Sequence, residues 1–156
     1  MYEHILIPTD GSDTSRQAVD QAVDIAEKYG ATVHALYVVD VDATSYSLGA
    51  EQVDRIRSGH LDEMPEVTDA AKKATGYVAD AARERGVAVE EHVSAGEPAR
   101  AIRKFVEEND IDLVVMGSHG RSGLSRVVLG SVAEKVLRRT RVPVLVVDSE
   151  EAEAEA

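Results

Sequence analysis

Residues 117–131 read GSHGRSGLSRVVLGS and lie between two apolar runs, LVVM at 113–116 and PVLVV at 143–147. Four glycines, four serines and two arginines make this a flexible, polar connection between two core segments. Each glycine costs backbone entropy when the chain folds. A ligand that must approach the backbone closely offsets that cost, and a phosphate is the leading candidate.

On either side of this loop, short apolar runs alternate with amphipathic stretches. EHILIP (3–8) is a strand that ends at Pro8. Ser12 or Asp13 caps a helix running to about Tyr29, with Ala18, Ala22, Ile25, Ala26 and Tyr29 on one stripe and Gly30 as its stop. TVHALYVV (32–39) is the second strand, and residues 40–64 form an irregular excursion without a clean period. Pro65 opens a second helix to about Arg85, with Val67, Ala70, Ala74, Val78 and Ala81 inward and Gly86 closing it. VAVEEHV (87–93), a helix from Pro98 to about Glu108, DLVVM (112–116), a helix from Ser131 to about Arg139, and PVLVV (143–147) complete the series.

Strands alternating with helices in this way predict an α/β fold, an open five-stranded parallel sheet with helices on both faces. Strand 3 carries charges and suits an edge. In such sheets ligands bind at the carboxyl ends of strands, where the strand order reverses. The two specialised carboxyl-end loops are Pro8-Thr9-Asp10-Gly11-Ser12 and the glycine loop. If both face one ligand, strands 1 and 4 are neighbours and the order is 3-2-1-4-5.

The glycines are spaced Gly117-x2-Gly120-x9-Gly130-Ser131. This is neither GxGxxG nor a Walker loop, and no P-loop lysine is present. Ser131-Val-Ala-Glu134 fits a capping box, which places a helix N-terminus at Ser131. Free N–H groups and the positive end of the helix dipole then face the loop. By itself this geometry supports a phosphate or another anion.

The chain resembles the universal stress protein family from ILIPTDGS through VVMGSHGRSG and GSVAEKVLRR to PVLVV. The G-x2-G-x9-G-[ST] spacing is similar to that of the family's ATP-binding branch. The resemblance implies an adenine nucleotide alpha hydrolase-like fold with order 3-2-1-4-5. It also implies ATP as ligand, with Mg²⁺ or Mn²⁺ held mainly by the phosphates, and a homodimer through strand 5 (residues 143–147). It makes Asp10 a partner of ribose or adenine, with Pro8 and Thr9 beside the base and main chain near Val38 and Val39 at the adenine edge. Met116, which ends strand 4 with Gly117, touches the sugar, and Gly120, Gly130, Ser131 and Val132 are the best phosphate ligands. His119 and Arg121 are further candidates, as is Arg126, although loop cations are often simply solvated. Each also has a structural reading: Asp10 as a turn residue, Val38, Val39 and Met116 as core, Ser131 as a helix cap.

Composition sets the outer bounds. One domain fits residues 1–148, followed by an acidic tail at 149–156 expected to be disordered. No cysteine is present, so disulfides and thiol chemistry are excluded. The five histidines show no HxxxH or HExxH spacing, and no metal site is predicted. No apolar run approaches the roughly 20 residues of a membrane span, and MYEHILIPTD lacks signal-peptide character, so a cytoplasmic protein is expected. Net charge is −12, from 29 acidic and 17 basic residues, and only five of the basic residues are lysine. This surface disfavours nucleic acid and anionic membrane, and it matches the composition of halophilic proteins. The functional expectation is a nucleotide-dependent stress or signalling module without a catalytic site. The alternatives are a slow ATPase or phosphotransferase on the same site, and a structural member that binds no nucleotide.

Overall fold

A computed structural model describes residues 1–40, 65–118 and 129–148. The excursion over most of 40–64, the acidic tail, and the loop positions His119, Gly120, Arg121 and Arg126 lie outside the described residues. The elements are β1 (His4–Pro8), α1 (Asp13–Tyr29), β2 (Thr32–Asp40), α2 (Pro65–Glu84), β3 (Val89–Gly96), α3 (Pro98–Glu108), β4 (Leu113–Gly117), α4 (Ser131–Arg139) and β5 (Val144–Val147). All strand pairs are parallel, and the order is β3-β2-β1-β4-β5.

The helix ends follow from the chain's own punctuation. Ser12 caps α1, its hydroxyl accepting from the Ser15 amide at 3.3 Å. Gly30 takes φ 67°, and the Ala31 amide donates back to the Ala26 carbonyl at 3.0 Å, which closes the last turn. At the end of α2, the Gly86 amide donates to Arg83 and the Val87 amide to Ala82. Val87 is thereby spent on the helix cap. This is why β3 begins at Val89 and runs to Gly96, later than the predicted 87–93.

Two cores flank the sheet. One holds Ile5, Ile7, Val33, Ala35 and Val115 against α1 and α2, and the other holds Leu6, Leu36, Val114 and Met116 against α3 and α4. Alternate residues of β1, β2 and β4 serve opposite faces, so these strands are apolar on both sides. Two predicted stripes are rotated in the structure. Tyr29 is half exposed, its ring edge-on to Tyr2 at 5.3 Å. In α2 the buried set is Ala71, Ala74, Thr75, Val78, Ala79 and Ala82. Alanines lie all around α2, so periodicity alone could not set its rotation.

Candidate functional site

The carboxyl ends of β1 and β4 are adjacent at the point where the strand order reverses. The loop after β1 is held by its own side chains. The Thr9 amide donates to the Leu36 carbonyl at 2.9 Å, and Thr9 Oγ1 accepts from the Gly11 amide at 3.2 Å. Asp10 Oδ1 accepts from the Ser12 amide at 2.9 Å, so the carboxylate makes the turn residue's bond. Gly11 has φ 80°, a conformation that favours glycine. Pro8 is half-buried at the end of β1, and β2 continues past its Pro8↔Leu36 pairing through Val38 and Val39 to Asp40. Val39 is buried, and Val38 packs with the α3–α4 core.

At the end of β4, Met116 is buried core, as its structural reading requires. Ser118, absent from the sequence-based candidates, organises the exit from this strand. Its amide donates to the Val147 carbonyl at 2.9 Å and its hydroxyl to Asp148 Oδ1 at 2.9 Å. Its carbonyl accepts from the Gly130 amide at 2.7 Å. Both stems of the glycine loop are therefore tied together and to the end of β5. The pattern G-S with a later G-S could not reveal this, because the bonds are mostly main-chain.

Two expectations change here. The residue capping α4 is Gly130, with φ −60° and ψ 150° and no side-chain cap bond. Ser131 is the first helical residue, and the predicted capping box with Glu134 does not form: the Glu134 amide closes the first helical turn on the Gly130 carbonyl at 2.9 Å, while Glu134 Oε1 pairs with Arg138 at 2.9 Å. The physical reason is the Ser118 bond, which holds Gly130 where a cap residue must sit. The Gly130 amide is accordingly engaged by Ser118. The first-turn amides of Ser131 and Val132, which by position have no acceptor within the helix, are the donors suited to an anion.

Cations on α4 are held by carboxylates. Lys135 and Arg139 approach Glu97 at 3.7 and 3.9 Å. A separate cavity of about 300 Å³ lies between the start of α1 and α2, lined by Gly11, Arg16, Glu66, Asp69 and Lys73 among others. It contains none of the predicted ligand residues and mixes both charge signs, so it does not compete as the anion site. Among the described residues no cluster of three or more His, Asp or Glu forms a metal site.

The pattern of the universal stress protein family matches residues 1–148. The chain belongs to the universal stress protein family. Universal stress protein MJ0531 of Methanocaldococcus jannaschii is 44% identical over 147 residues, 94% of this chain and 82% of that protein. The solved structure of MJ0577, from the same organism, superposes with a TM-score of 0.75 at 27% identity, covering 96% of this chain and 98% of that one. A universal stress protein crystallised in complex with cAMP superposes with a TM-score of 0.65 at 26% identity, covering 94% and 97%.

This universal stress protein thus brings Pro8, Thr9, Asp10, Val38, Val39, Met116 and Gly117 to the carboxyl ends of three neighbouring strands. The Ser118–Gly130 bond holds Gly130, Ser131 and Val132 to the same end. His119, Gly120 and Arg121 lie outside the described residues. No helix among the described residues is long and apolar enough to cross a membrane.

Proposed function

We propose that the protein binds an adenine nucleotide, ATP with Mg²⁺ or Mn²⁺, and acts as a nucleotide-dependent stress-response module. The observation that carries this is the start of α4, held by the Ser118–Gly130 bond at the carboxyl end of β4 beside the switch point. A helix N-terminus placed there offers backbone N–H groups and a positive dipole end to phosphate. The relative crystallised with cAMP supports an adenine base, and the half-buried Pro8 and Val38 at the ends of β1 and β2 are apolar surface of the kind a base requires. The metal would ride on the phosphates and water.

The reading favours holding over turnover. Fast phosphoryl transfer needs an oriented nucleophile and strong cationic stabilisation. Here Asp10 makes a turn bond, and Lys135 and Arg139 face Glu97.

Calorimetry with ATP, ADP and cAMP, with and without Mg²⁺, tests the ligand, and a phosphate-release assay tests turnover. Gly130→Val is the site probe. Its φ of −60° suits valine, so loss of binding would not come from a forbidden backbone angle. Binding should vanish in this variant while its melting transition survives. Unchanged affinity in a folded Gly130→Val protein would refute the assignment.

A further inference from the structure

Three of the five histidines, distant in sequence, meet on the sheet face covered by α3. His34 Nε2 lies 3.1 Å from His4 Nδ1, and His34 Nδ1 lies 3.3 Å from His92 Nε2. The three residues stand on β1, β2 and β3, near the amino ends of β1 and β2 and so away from the nucleotide end. His34 is only 4% exposed, while His4 and His92 are half-buried and reach water. The Phe105 ring of α3 covers the group, with its centroid 4.7 Å from that of His92 and 5.9 Å from that of His34.

Counting protons gives this chain an unusual property. A neutral imidazole has one N–H and one lone pair, and an imidazolium has two N–H groups and no acceptor. Each N···N contact needs one of each. With three neutral rings both contacts are made, the donations running from His4 to His92 or in reverse. One added proton leaves a lone pair for each contact, so both still form, whichever ring carries the charge. A second added proton leaves one lone pair for two contacts, and at one contact two N–H groups must then face each other.

We propose that His4, His34 and His92 form a proton-binding site with a capacity of one, and that a second proton breaks the chain and loosens α3 from β1–β3. The surrounding charges fit one proton. Glu90 Oε2 of β3 lies 3.6 Å from His34 Nδ1 and balances a single positive charge. At the start of β4, Asp112 spends its carboxylate on the Glu3 and His4 amides, at 2.8 and 3.3 Å. Helix α3 faces the rings with Phe105, while its charged residues Arg100, Arg103, Lys104, Glu107 and Glu108 are exposed. The proton also has a route across the sheet. As the His92 Nε2 proton passes to His34 Nδ1, the His34 Nε2 proton passes to His4 Nδ1. His34 ends neutral with its tautomer reversed, and the charge has moved from β3 to β1.

Long-range ¹H–¹⁵N correlation spectra of the full-length protein, taken from about pH 8.5 to 5 to bracket the ordinary histidine pKa of ~6.5, report protonation and tautomer ring by ring. The three rings should share one first step that totals one proton. The second proton should bind at least about one pH unit lower, with the protection of α3 amides, exchange measured against the intrinsic rate at each pH, falling roughly tenfold as it does. In His34→Gln, whose amide supplies one donor and one acceptor but takes no proton, His4 and His92 should titrate independently. If that variant fails to fold, His92→Gln serves: His4 and His34 should still share a single first proton. Three independent, unshifted titrations in the wild type would overturn the proposal. So would a second proton binding at the same pH as the first, or α3 amide protection unchanged by it.

Discussion

Gly117 and Thr14 are packed so closely that a Cβ on Gly117 would lie 2.8 Å from Thr14 Cγ2. The same Cβ would lie 3.1 Å from the Thr14 carbonyl carbon and 3.2 Å from the Ser15 amide nitrogen. The end of β4 therefore rests on the first turn of α1, and only glycine allows that approach. Because two of these neighbours are backbone, a rotamer change cannot relieve the clash. Gly117→Ala should destabilise the fold by about 1–3 kcal/mol, the usual cost of overpacking. Thr14→Ser removes Cγ2 and should restore part of the loss but not all of it. Urea unfolding of the two single variants and the double variant measures the coupling. Simple additivity would show that the contact is not the cause.

This pair also marks how far the sequence could be read. Gly30, Gly86, Pro65 and Pro98 stop or start helices at the places their chemistry dictates, so element order and sheet order are legible in advance. Gly117 is legible only as a ligand-side glycine, because its contact with Thr14 depends on how α1 lies across β4. Ser131 has the letters of a capping box, yet Gly130 takes the cap because Ser118 pins it, a main-chain bond with no side-chain signature. The His4–His34–His92 chain has no local spacing at all. It arises from the parallel register, which sets His34 beside Glu90 and Leu36 beside His92.

The buried ring of His34 predicts a pH effect with a definite sign. Burial depresses its pKa; the Glu90 carboxylate opposes this, and the neighbouring His92 and His4 add to the depression. The unfolded chain then binds the proton more readily, near the ordinary histidine value of ~6.5. Stability from this group is complete above that pH and is lost as pH falls through it toward the lower folded value. Denaturation midpoints from about pH 8 to 5.5, a range spanning that value, should fall on the acid side. The fall should be smaller in His34→Gln. An identical pH profile in the two proteins would exclude His34 as the source.

The free edge of the sheet predicts self-association. Among the described residues β5 is the terminal strand, it carries no charged side chain, and Leu145 on it is 37% exposed. On α4, Leu137 is 42% exposed. A bare apolar edge invites pairing with another strand. Pairing of two β5 strands across a two-fold axis would satisfy both edges at once. Leu145→Lys puts a charge into that contact and should give monomers in sedimentation experiments. A wild-type protein that remains monomeric at high concentration would rule out the β5 pairing.

The net charge of −12 predicts a response to salt whose direction depends on two opposed effects. Salt weakens attractive pairs such as Arg85 with Asp24 and Glu27, at 3.0 and 2.9 Å, and Arg138 with Glu134 at 2.9 Å. It also weakens repulsion among the excess carboxylates, which acts over longer distances. The screening length is about 10 Å at 0.1 M and about 3 Å at 1 M. Pairs in direct contact lie at or within the shorter length, while most of the repulsion lies beyond it. Repulsion is therefore lost first, and the folded state, which concentrates the charge, gains more than the unfolded chain. Melting midpoints should rise between about 0.1 and 1 M KCl, the interval over which screening shortens most. The rise should be larger in KCl than in an isosmotic concentration of a neutral solute, which changes water activity without screening. A midpoint that is flat or falling in KCl would mean that the contact pairs outweigh the excess charge, and the acidic composition would then need another explanation.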